Sequence, residues 1–380
     1  MVHDLEMIQT QRLPASLSSL DAALRVLLHG LEPVAPLEVP LAEALGCVAA
    51  DMPPLKPNPP RDTAESDGWA LRAHDLVGAS SYSPLPLPIS PVWVEAGDPL
   101  PEGCDCVLDA DLLDRSTPLV QALGEATPGQ GVRRTGADIV GASVLIAAGR
   151  RVRPLDLLVA RAAGLQKLNV RRPRLCLVNI PPLSGEPPIT ARLIADTARA
   201  AGTEVSCVEA AGRDAASIET AVDISACDLL MTIGGSGVGR TDAAIAGLAA
   251  RGASIVHGIA LQPGRTAGVG RAGKVPVIAL PGAPDQALSV WWTLALPTLD
   301  VLSGSLPREQ QMLPLVRKIA SSVGVTELAL LEKAGQGWMP IAVGALSLDA
   351  IARADAWLTI PAASEGFAAG AVVGAYMLRE

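Results

Sequence analysis

"CDLLMTIGGSGVGRTDAAI", residues 227–245, joins an apolar run to a glycine-rich loop and then to a segment with helical spacing. A short apolar run bounded by turn residues predicts a buried strand, and glycines let backbone N–H groups approach a ligand closely. A helix that begins after such a loop adds partial positive charge at its N-terminus. The stretch therefore predicts a strand–loop–helix unit that suits an anion such as a phosphate.

The neighbouring sequence, residues 173–305, repeats this alternation of apolar runs and helical patterns. In chain order the segments are "RLCLVNI", a helix over 190–201, "TEVSCVEAAG", a helix over 213–225, "CDLLMTIGG", a helix over 241–251, "ASIVHGIAL", "KVPVIALPG" and a helix after Pro284. This order predicts a mainly parallel sheet covered by helices on both faces. Ligands bind such sheets at the carboxyl ends of the strands.

Two helical patterns lie outside that region. Ser18–Asp21 has the form of a capping box and precedes leucines at helical spacing, which predicts a helix that closes at His29. A second helical pattern covers residues 153–168. We assign residues 1–46 together with 144–172 to one helical linker domain.

Strand and turn signals dominate the remaining sequence. The run "MPPLKPNPPRD" (52–62) holds five prolines and cannot be helical, so residues 47–143 predict a β-rich domain. Residues 306–380 predict a C-terminal β domain with a hairpin around Gly335–Gly337. With residues 173–305 as the α/β domain, the sequence predicts four domains.

Composition excludes several classes of function. Thirty Lys+Arg against 39 Asp+Glu give a formal charge of −9, which argues against nucleic acid or an anionic membrane as a partner. The apolar run at 287–302 is broken by Pro297 and Asp300, short of the roughly 20 residues that span a bilayer. With no secretory signal in "MVHDLEMIQT", we expect a cytoplasmic protein. Six cysteines and four histidines show neither zinc-ligand nor disulfide-framework spacing.

The glycine loop alone leaves two interpretations open. It fits neither the dinucleotide fingerprint nor the P-loop spacing, so a plain strand-to-helix turn explains the glycines as well as a binding site does. However, "LQPGRTAGVGR" (261–271) and "LPGAPDQAL" (280–288) also end apolar runs with Pro-Gly. Three loops then converge on one sheet edge. Arg265 and Arg271 could donate to an anion there, although for each alone a solvated surface residue is the better interpretation.

Seven segments, in this order, resemble the molybdopterin molybdenumtransferase family, which includes MoeA and the gephyrin E-domain. They are "ESDGWALRAHDL", "AGDPLPEGCDCVL", "VRRTGADIVGASVLIAAG", "GGSGVGRTD", "QPGRTAGVGR", "LPGAPDQAL" and "IARADAWLTIPAASEGFAAGAVV". The resemblance implies an α/β multidomain fold. Its parts are a three-layer molybdopterin-binding domain with a parallel-rich sheet, a β-rich domain, an elongated helical linker domain and a C-terminal β-barrel-like domain.

The resemblance also implies a reaction in molybdenum cofactor biosynthesis. Molybdate is inserted into adenylylated molybdopterin, AMP is released, and Mg²⁺ assists. The family pattern implies a homodimer whose site lies between the α/β domain of one subunit and the β-rich domain of the other. The resemblance also implies a molybdoenzyme or a molybdopterin adenylyltransferase as a further partner.

Two acids match the family's motifs and are predicted to be catalytic. Asp67 stands in "SDGWA" where the family has MDGYA, and Asp242 matches the last aspartate of the family's loop GGVSVGDYD. Asp242 is also the predicted Mg²⁺ ligand, because a carboxylate beside phosphates needs a cation or a water to orient. The residues predicted to bind the molybdopterin substrate are Gly234, Gly235, Ser236, Gly239, Arg240, Pro263, Gly264, Arg265, Pro281 and Gly282.

Departures from the family pattern keep further functions open. Arg240 replaces the loop's first aspartate, which favours a bound anion and disfavours a metal held there. The family's TGDE and DSN segments are not kept. The second hypothesis is therefore a catalytically degenerate protein that binds or delivers molybdopterin or the molybdenum cofactor for a molybdoenzyme. A third is a dimerising structural partner that binds no pterin.

Overall fold

The computed structural model describes residues 11–116, 118–183, 185 and 187–379. None of the helices in these ranges is both long and apolar enough to cross a membrane. The α-helices are α1 (Leu20–Leu28), α2 (Pro154–Ala162), α3 (Ile189–Ala200), α4 (Ala215–Ala221), α5 (Ala244–Ala250), α6 (Pro284–Val290), α7 (Leu296–Ser303) and α8 (Leu348–Arg353). A π-helical turn, Trp291–Ala295, joins α6 to α7, and 3₁₀ turns cover Leu41–Glu43, Ala73–Leu76 and Ala110–Leu112.

The longest strands, of six to nine residues, all lie after residue 173. The strands are β1 (Leu37–Pro40), β2 (Val48–Ala49), β3 (Thr63–Ala64), β4 (Gly68–Leu71), β5 (Leu85–Pro86), β6 (Val92–Val94), β7 (Cys106–Leu108), β8 (Leu113–Asp114), β9 (Gln121–Ala122), β10 (Val132–Arg133), β11 (Lys167–Arg171), β12 (Arg174–Asn179), β13 (Glu204–Glu209), β14 (Leu229–Ile233), β15 (Ser254–His257), β16 (Leu261–Gln262), β17 (Gly268–Ala272), β18 (Val275–Leu280), β19 (Gln311–Pro314), β20 (Ile319–Ala320), β21 (Thr326–Ala334), β22 (Gly337–Val343), β23 (Ala356–Ile360), β24 (Gly366–Phe367) and β25 (Val372–Met377).

The chain divides into two compact units. The first comprises the chain up to Ala50, Ala148–Arg153 and everything from Asn169 onward; the second comprises Asp51–Ala147 and Pro154–Leu168. The finer division into four domains stays a prediction.

A six-stranded sheet in the order β13-β12-β14-β18-β17-β15 lies at the centre of the first unit. Its first four strands run parallel, whereas β17 pairs antiparallel with both β18 and β15. All five residues of β14 are buried, which fits a central strand covered on both faces. The predicted parallel-rich sheet is confirmed, with an antiparallel edge.

Helices cover both faces of this sheet. Leu27 of α1, Ile194 of α3 and Leu299 of α7 belong to one buried apolar cluster. Ile218 of α4 and Leu248 of α5 belong to the cluster on the opposite face. Because β12, β14 and β18 are parallel neighbours, their carboxyl ends lie at one edge of this three-layer arrangement, where the loops that follow them meet.

The structure corrects two of the predicted helix boundaries. Ser19, not Ser18, caps α1: its Oγ accepts from the Ala22 backbone N–H at 3.2 Å. Ser18 instead donates its backbone N–H to Gly258 O at 3.0 Å, which holds it in a bridge outside the helix. The helix predicted over 153–168 ends at Ala162, because Gly164 takes a positive φ of 75° before the chain enters β11.

The C-terminal part of the first unit forms a second sheet in the order β16-β21-β23-β25-β19, with β22 paired to β21. The predicted hairpin is present: Ala334 pairs with Gly337, and Gly335 takes the positive φ of 59° that the tight turn requires. Trp357 of β23 stacks on Trp292 at 5.8 Å, so this sheet shares a core with the α/β domain. Closure of this sheet into a barrel stays a prediction.

The second unit contains two three-stranded sheets, β6-β4-β7 and β5-β9-β8, and the two-stranded ladder β10-β3. Its strands are two to four residues long. Prolines explain this irregularity, since they interrupt the ladders and fix extended backbone. The β-rich character predicted for this region is confirmed.

Candidate ligand site at the carboxyl ends of the parallel strands

A cavity of about 560 Å³ lies at the carboxyl ends of β12, β14 and β18. Its wall includes Asn179 and Ile180 at the end of β12, Gly234 and Gly235 after β14, and the turn at 281–284 after β18. The first turn of α3 completes it. This volume falls in the range of small-molecule sites, and the position is where open α/β sheets bind ligands.

The glycine loop reaches this wall because two of its residues adopt left-handed backbone angles. Gly234 and Gly235 have φ values of 89° and 64°. A Cβ on Gly234 would lie 3.1 Å from Ile180 O, and one on Gly235 would lie 3.1 Å from Ile180 Cδ1. The loop therefore packs its bare backbone against the end of β12. A side chain at either position would be strained by the backbone angle and crowded by Ile180.

Asp242 closes the loop onto itself and onto the neighbouring strand end. Its Oδ2 accepts the Gly239 backbone N–H at 2.9 Å, and its Oδ1 accepts from Arg213 Nη2 at 2.7 Å. Both side chains are largely buried, with 16% of Asp242 and 19% of Arg213 exposed. Such a charge-assisted pair is strong because little water screens it.

Arg213 ties three loops together. Besides Asp242 it donates from Nη1 to Pro181 O at 2.7 Å and from Nε to Thr241 Oγ1 at 3.3 Å. Pro181 follows β12, Arg213 follows β13, and Thr241 and Asp242 lie in the segment after β14. One guanidinium thus fixes the relative positions of three strand ends at the cavity wall.

Gln11 and His257 hold the other side of the glycine loop. The Gln11 amide donates to Gly235 O at 3.2 Å and to Gly237 O at 2.7 Å, and its Oε1 accepts the Ile245 N–H at 3.0 Å. His257 Nε2 lies 2.9 Å from Ser236 O. The carbonyl oxygens of Gly235, Ser236 and Gly237 therefore all have partners within the protein.

The first turn of α3 brings a helix N-terminus to the cavity. No side chain caps this helix at Pro188, and Pro188–Ala191 contribute to the cavity wall. Thr190 Oγ1 donates to Gly282 O at 2.7 Å, which fixes the helix to the 281–284 turn. The Asn179 amide Nδ2 is buried with no hydrogen-bond partner. A helix N-terminus and an unpartnered amide donor both suit an anionic or carbonyl-bearing ligand.

The structure brings together only part of the residue set predicted for this site. Gly234, Gly235, Asp242, Pro281 and Gly282 line the cavity. Others lie close by without lining it: Ser236 (buried, with its Oγ unpartnered), Gly239, and the exposed Arg240. Which of them touch a ligand stays a prediction.

The Pro-Gly-Arg loop predicted as a third wall lies differently. Pro263 and Gly264 are buried, Arg265 is exposed, and none of the three lines the cavity, although Thr266 does. A Cβ on Gly264 would lie 3.0 Å from Val290 Cγ2 of α6. This loop packs against α6, because Gly264 permits that close approach.

Asp67 belongs to the second unit. It immediately precedes β4, is exposed, and accepts the Ala96 N–H at 2.8 Å. Nearby, Asp62 accepts from the backbone and hydroxyl of Thr135 at 2.8 and 2.9 Å and from Arg134 at 2.9 Å. Those donors, the Thr135 backbone N–H first, lower the pKa of the Asp62 carboxyl.

The groups around Asp242 do not form a set of ligands that fits a Mg²⁺ ion. Both carboxylate oxygens already accept hydrogen bonds, one of them from a cation. Among the described residues no three His, Cys, Asp or Glu side chains cluster as metal ligands. Mg²⁺ prefers oxygen ligands in an octahedral shell and keeps much of its water.

Sequence reasoning missed Arg213, Thr190 and Gln11. Arg213 could have been found, because it follows the predicted strand "TEVSCVEAAG" and so lies at the same sheet edge as the glycine loop. Thr190 and Gln11 carry no such signal, since their roles depend on long-range hydrogen bonds.

Comparison with known proteins identifies the family. Residues 18–164 match the model of the MoeA N-terminal region (domain I and II), and residues 189–301 match that of a probable molybdopterin binding domain. The second match contains the glycine loop and the start of α3.

Similar proteins match over most of the chain. A molybdopterin molybdenumtransferase 2 from Mycobacterium tuberculosis is 29% identical over 319 residues, 74% of this chain and 78% of the relative. A putative molybdopterin biosynthesis protein from Methanocaldococcus jannaschii is 24% identical over 90% of this chain and 92% of its own. A solved MoeA protein from Pyrococcus horikosii superposes with a TM-score of 0.70 at 26% identity, covering 96% of this chain and 100% of that one. The chain belongs to the MoeA family of molybdopterin molybdenumtransferases, as its sequence motifs predicted.

Proposed function

We propose that this protein acts in molybdenum cofactor biosynthesis, inserting molybdate into adenylylated molybdopterin with release of AMP. Family membership supports the reaction class. The observation that carries the proposal is the cavity at the ends of β12, β14 and β18, which is lined by the glycine loop and the first turn of α3. Glycine-rich loops and helix N-termini bind phosphate through backbone N–H groups.

The residues of the cavity suit binding and orientation of such a substrate. Gly234 and Gly235 keep side chains away from the wall, and the uncapped α3 supplies partial positive charge. We assign Asp67 and Asp242 as the acids on which turnover depends. For Asp67 the support is its match to the family motif alone.

A delivery or binding protein is the second candidate. It is favoured by the hydrogen bonds from Arg213 and Gly239, which give each Asp242 oxygen a partner within the protein. Such a protein would bind adenylylated molybdopterin or the finished cofactor without turnover and pass it to a molybdoenzyme. A homodimer, a cytoplasmic location and a molybdopterin adenylyltransferase partner belong to the proposal in either form.

Anaerobic assay of the purified protein with adenylylated molybdopterin separates these functions. Release of AMP that requires added molybdate supports the insertase. Binding without release supports the delivery protein, and absence of binding contradicts both. An assay in which the Mycobacterium tuberculosis relative replaces this chain serves as the positive control.

A further inference from the structure

The two hydrogen bonds to Asp242 leave it in an unusual position for a predicted metal ligand. Besides accepting the Gly239 N–H, its Oδ2 lies very close to the backbone of two glycines in the same loop. A Cβ added to Gly237 would lie 2.5 Å from this oxygen, and one added to Gly239 would lie 2.9 Å away. The carboxylate is therefore folded tightly against the backbone of its own loop.

The other oxygen meets a cation that the protein itself provides. Arg213 Nη2 lies 2.7 Å from Oδ1, and both side chains are largely buried. The exposed Arg240, which occupies the position of the family loop's first aspartate, does not line the cavity. The charge next to Asp242 is thus supplied from a different strand end.

Arg213 retains hydrogen-bonding capacity after these contacts. A guanidinium has five N–H donors, and three of them point to Pro181 O, Thr241 Oγ1 and Asp242 Oδ1. One donor remains on each terminal nitrogen. Arg213 lines the cavity, so a ligand bound there lies beside this side chain.

We propose that Arg213 replaces a divalent cation at Asp242: it neutralises the carboxylate, holds the loop, and offers its two remaining N–H donors to a phosphate-bearing ligand. The identity of that ligand rests on the proposed function, whereas the pairing of Arg213 with Asp242 does not. Arg213 is both a positioning residue and a ligand-binding residue of this site.

Titration with Mn²⁺ alone, followed by the electron paramagnetic resonance signal of the free ion, tests the replacement of the metal. The wild type and Asp242→Asn are expected to bind the same amount of Mn²⁺, since Asp242 holds none. A Mn²⁺ site present in the wild type and lost in Asp242→Asn would overturn the proposal. The titration is repeated with adenylylated molybdopterin present, because a cation can also bind together with the phosphates of the ligand. Mn²⁺ binding in the wild type that is lost in Asp242→Asn would overturn the proposal under this condition too.

Thermal unfolding of Arg213→Met, Asp242→Asn and the double variant tests the pairing. Each single change is expected to lower the midpoint by roughly 3 °C or more, and the double variant to lose no more than the worse single one. Additive losses would contradict a direct interaction. Arg213→Lys is the conservative variant, expected to regain part of the stability because it keeps the charge but not the planar fork.

Binding of adenylylated molybdopterin tests the ligand contact. Wild-type affinity is expected to change less than about twofold when a chelator replaces Mg²⁺, and to fall at least about tenfold in Arg213→Met. Unchanged affinity in Arg213→Met would remove the ligand-binding role. If the wild type binds no pterin, the proposed function fails, while the Mn²⁺ and unfolding results still decide whether Arg213 takes the place of a metal.

Discussion

Asp242 and Asp67, the two acids predicted to be catalytic, lie in contrasting regions. Asp242 is largely buried in the first unit, where Arg213 and the Gly239 N–H take both of its oxygens. Asp67 is exposed at the start of β4 in the second unit and accepts one backbone hydrogen bond, from Ala96. Both acids were predicted from family motifs, yet Asp242 is largely buried with two partners and Asp67 is exposed to solvent. We infer that Asp242 acts through structure and charge, and Asp67 through direct contact with substrate or water.

Activity should show the largest effect and should treat the two acids alike. We expect Asp67→Ala and Asp242→Ala each to lower AMP release by about two orders of magnitude or more. For Asp67 the reason is loss of a group that contacts substrate or water, and for Asp242 it is loss of the carboxylate that holds Arg213 and the glycine loop in place. Molybdate-dependent AMP release under anaerobic conditions measures it. Full turnover in either variant would remove that acid from the catalytic set.

Stability should separate the two acids. Asp242→Asn is expected to lower the free energy of unfolding by about 2 kcal/mol, because it leaves the Arg213 charge buried without its partner. Asp67→Asn is the matched control and should change stability by less than about 0.5 kcal/mol, as exposed sites do. Chemical denaturation of both variants measures the difference. Equal losses would show that the two environments differ less than the structure indicates.

A smaller effect tests the packing behind Asp242. Gly237→Ala puts a Cβ 2.5 Å from Asp242 Oδ2, so we expect a loss of about 1–2 kcal/mol from displacement of the carboxylate. The control is Gly282→Ala, at which the added Cβ meets only Gly234 Cα, at 3.5 Å. Unfolding measurements that rank the two variants equally would argue against the folded-back position of Asp242.

The smallest effect concerns pH in the region of Asp67. The donors from Thr135 and Arg134 lower the pKa of Asp62, so this carboxylate stabilises the folded state above its unfolded pKa. That contribution is lost as pH falls through the folded-state pKa. We expect Asp62→Asn to lower the unfolding midpoint at pH 7 and the difference from wild type to vanish under strongly acidic conditions. A difference that persists there would show that Asp62 acts through packing.

Local sequence patterns predicted β14 and β18 well, because each is a continuous apolar run that ends at glycine or Pro-Gly. The loop after β14 shows this, since Gly234 and Gly235 turn at the cavity as expected. The same patterns missed β17, most of which lies within the segment 261–271 that was interpreted as a loop. The boundaries of helices were harder: Ser18 and Ser19 are chemically equal as caps, and a bridge between Ser18 and Ile259, far along the chain, decides between them.

The site was only partly predictable for the same reason. Asp242 could be identified from its motif, but its partner Arg213 lies 29 residues away along the chain. The Pro263–Arg265 loop carries the same Pro-Gly signal as Pro281–Gly282. However, Gly264 packs against Val290 of α6, and of the two Pro-Gly pairs only Pro281–Gly282 lines the cavity. Tertiary packing decides between two such loops, and no local pattern encodes it.

Anaerobic calorimetric titration with adenylylated molybdopterin, comparing the wild type with Gly282→Leu, tests most directly that the cavity is the ligand site. Gly282 lines the cavity, and a Cβ there would have ordinary contacts, so the longer leucine side chain should occupy ligand space without unfolding the protein. We predict one bound ligand per wild-type chain and an affinity at least about tenfold weaker in Gly282→Leu, with an unchanged unfolding midpoint. Equal affinity in the two proteins would contradict the assignment of the ligand to this cavity.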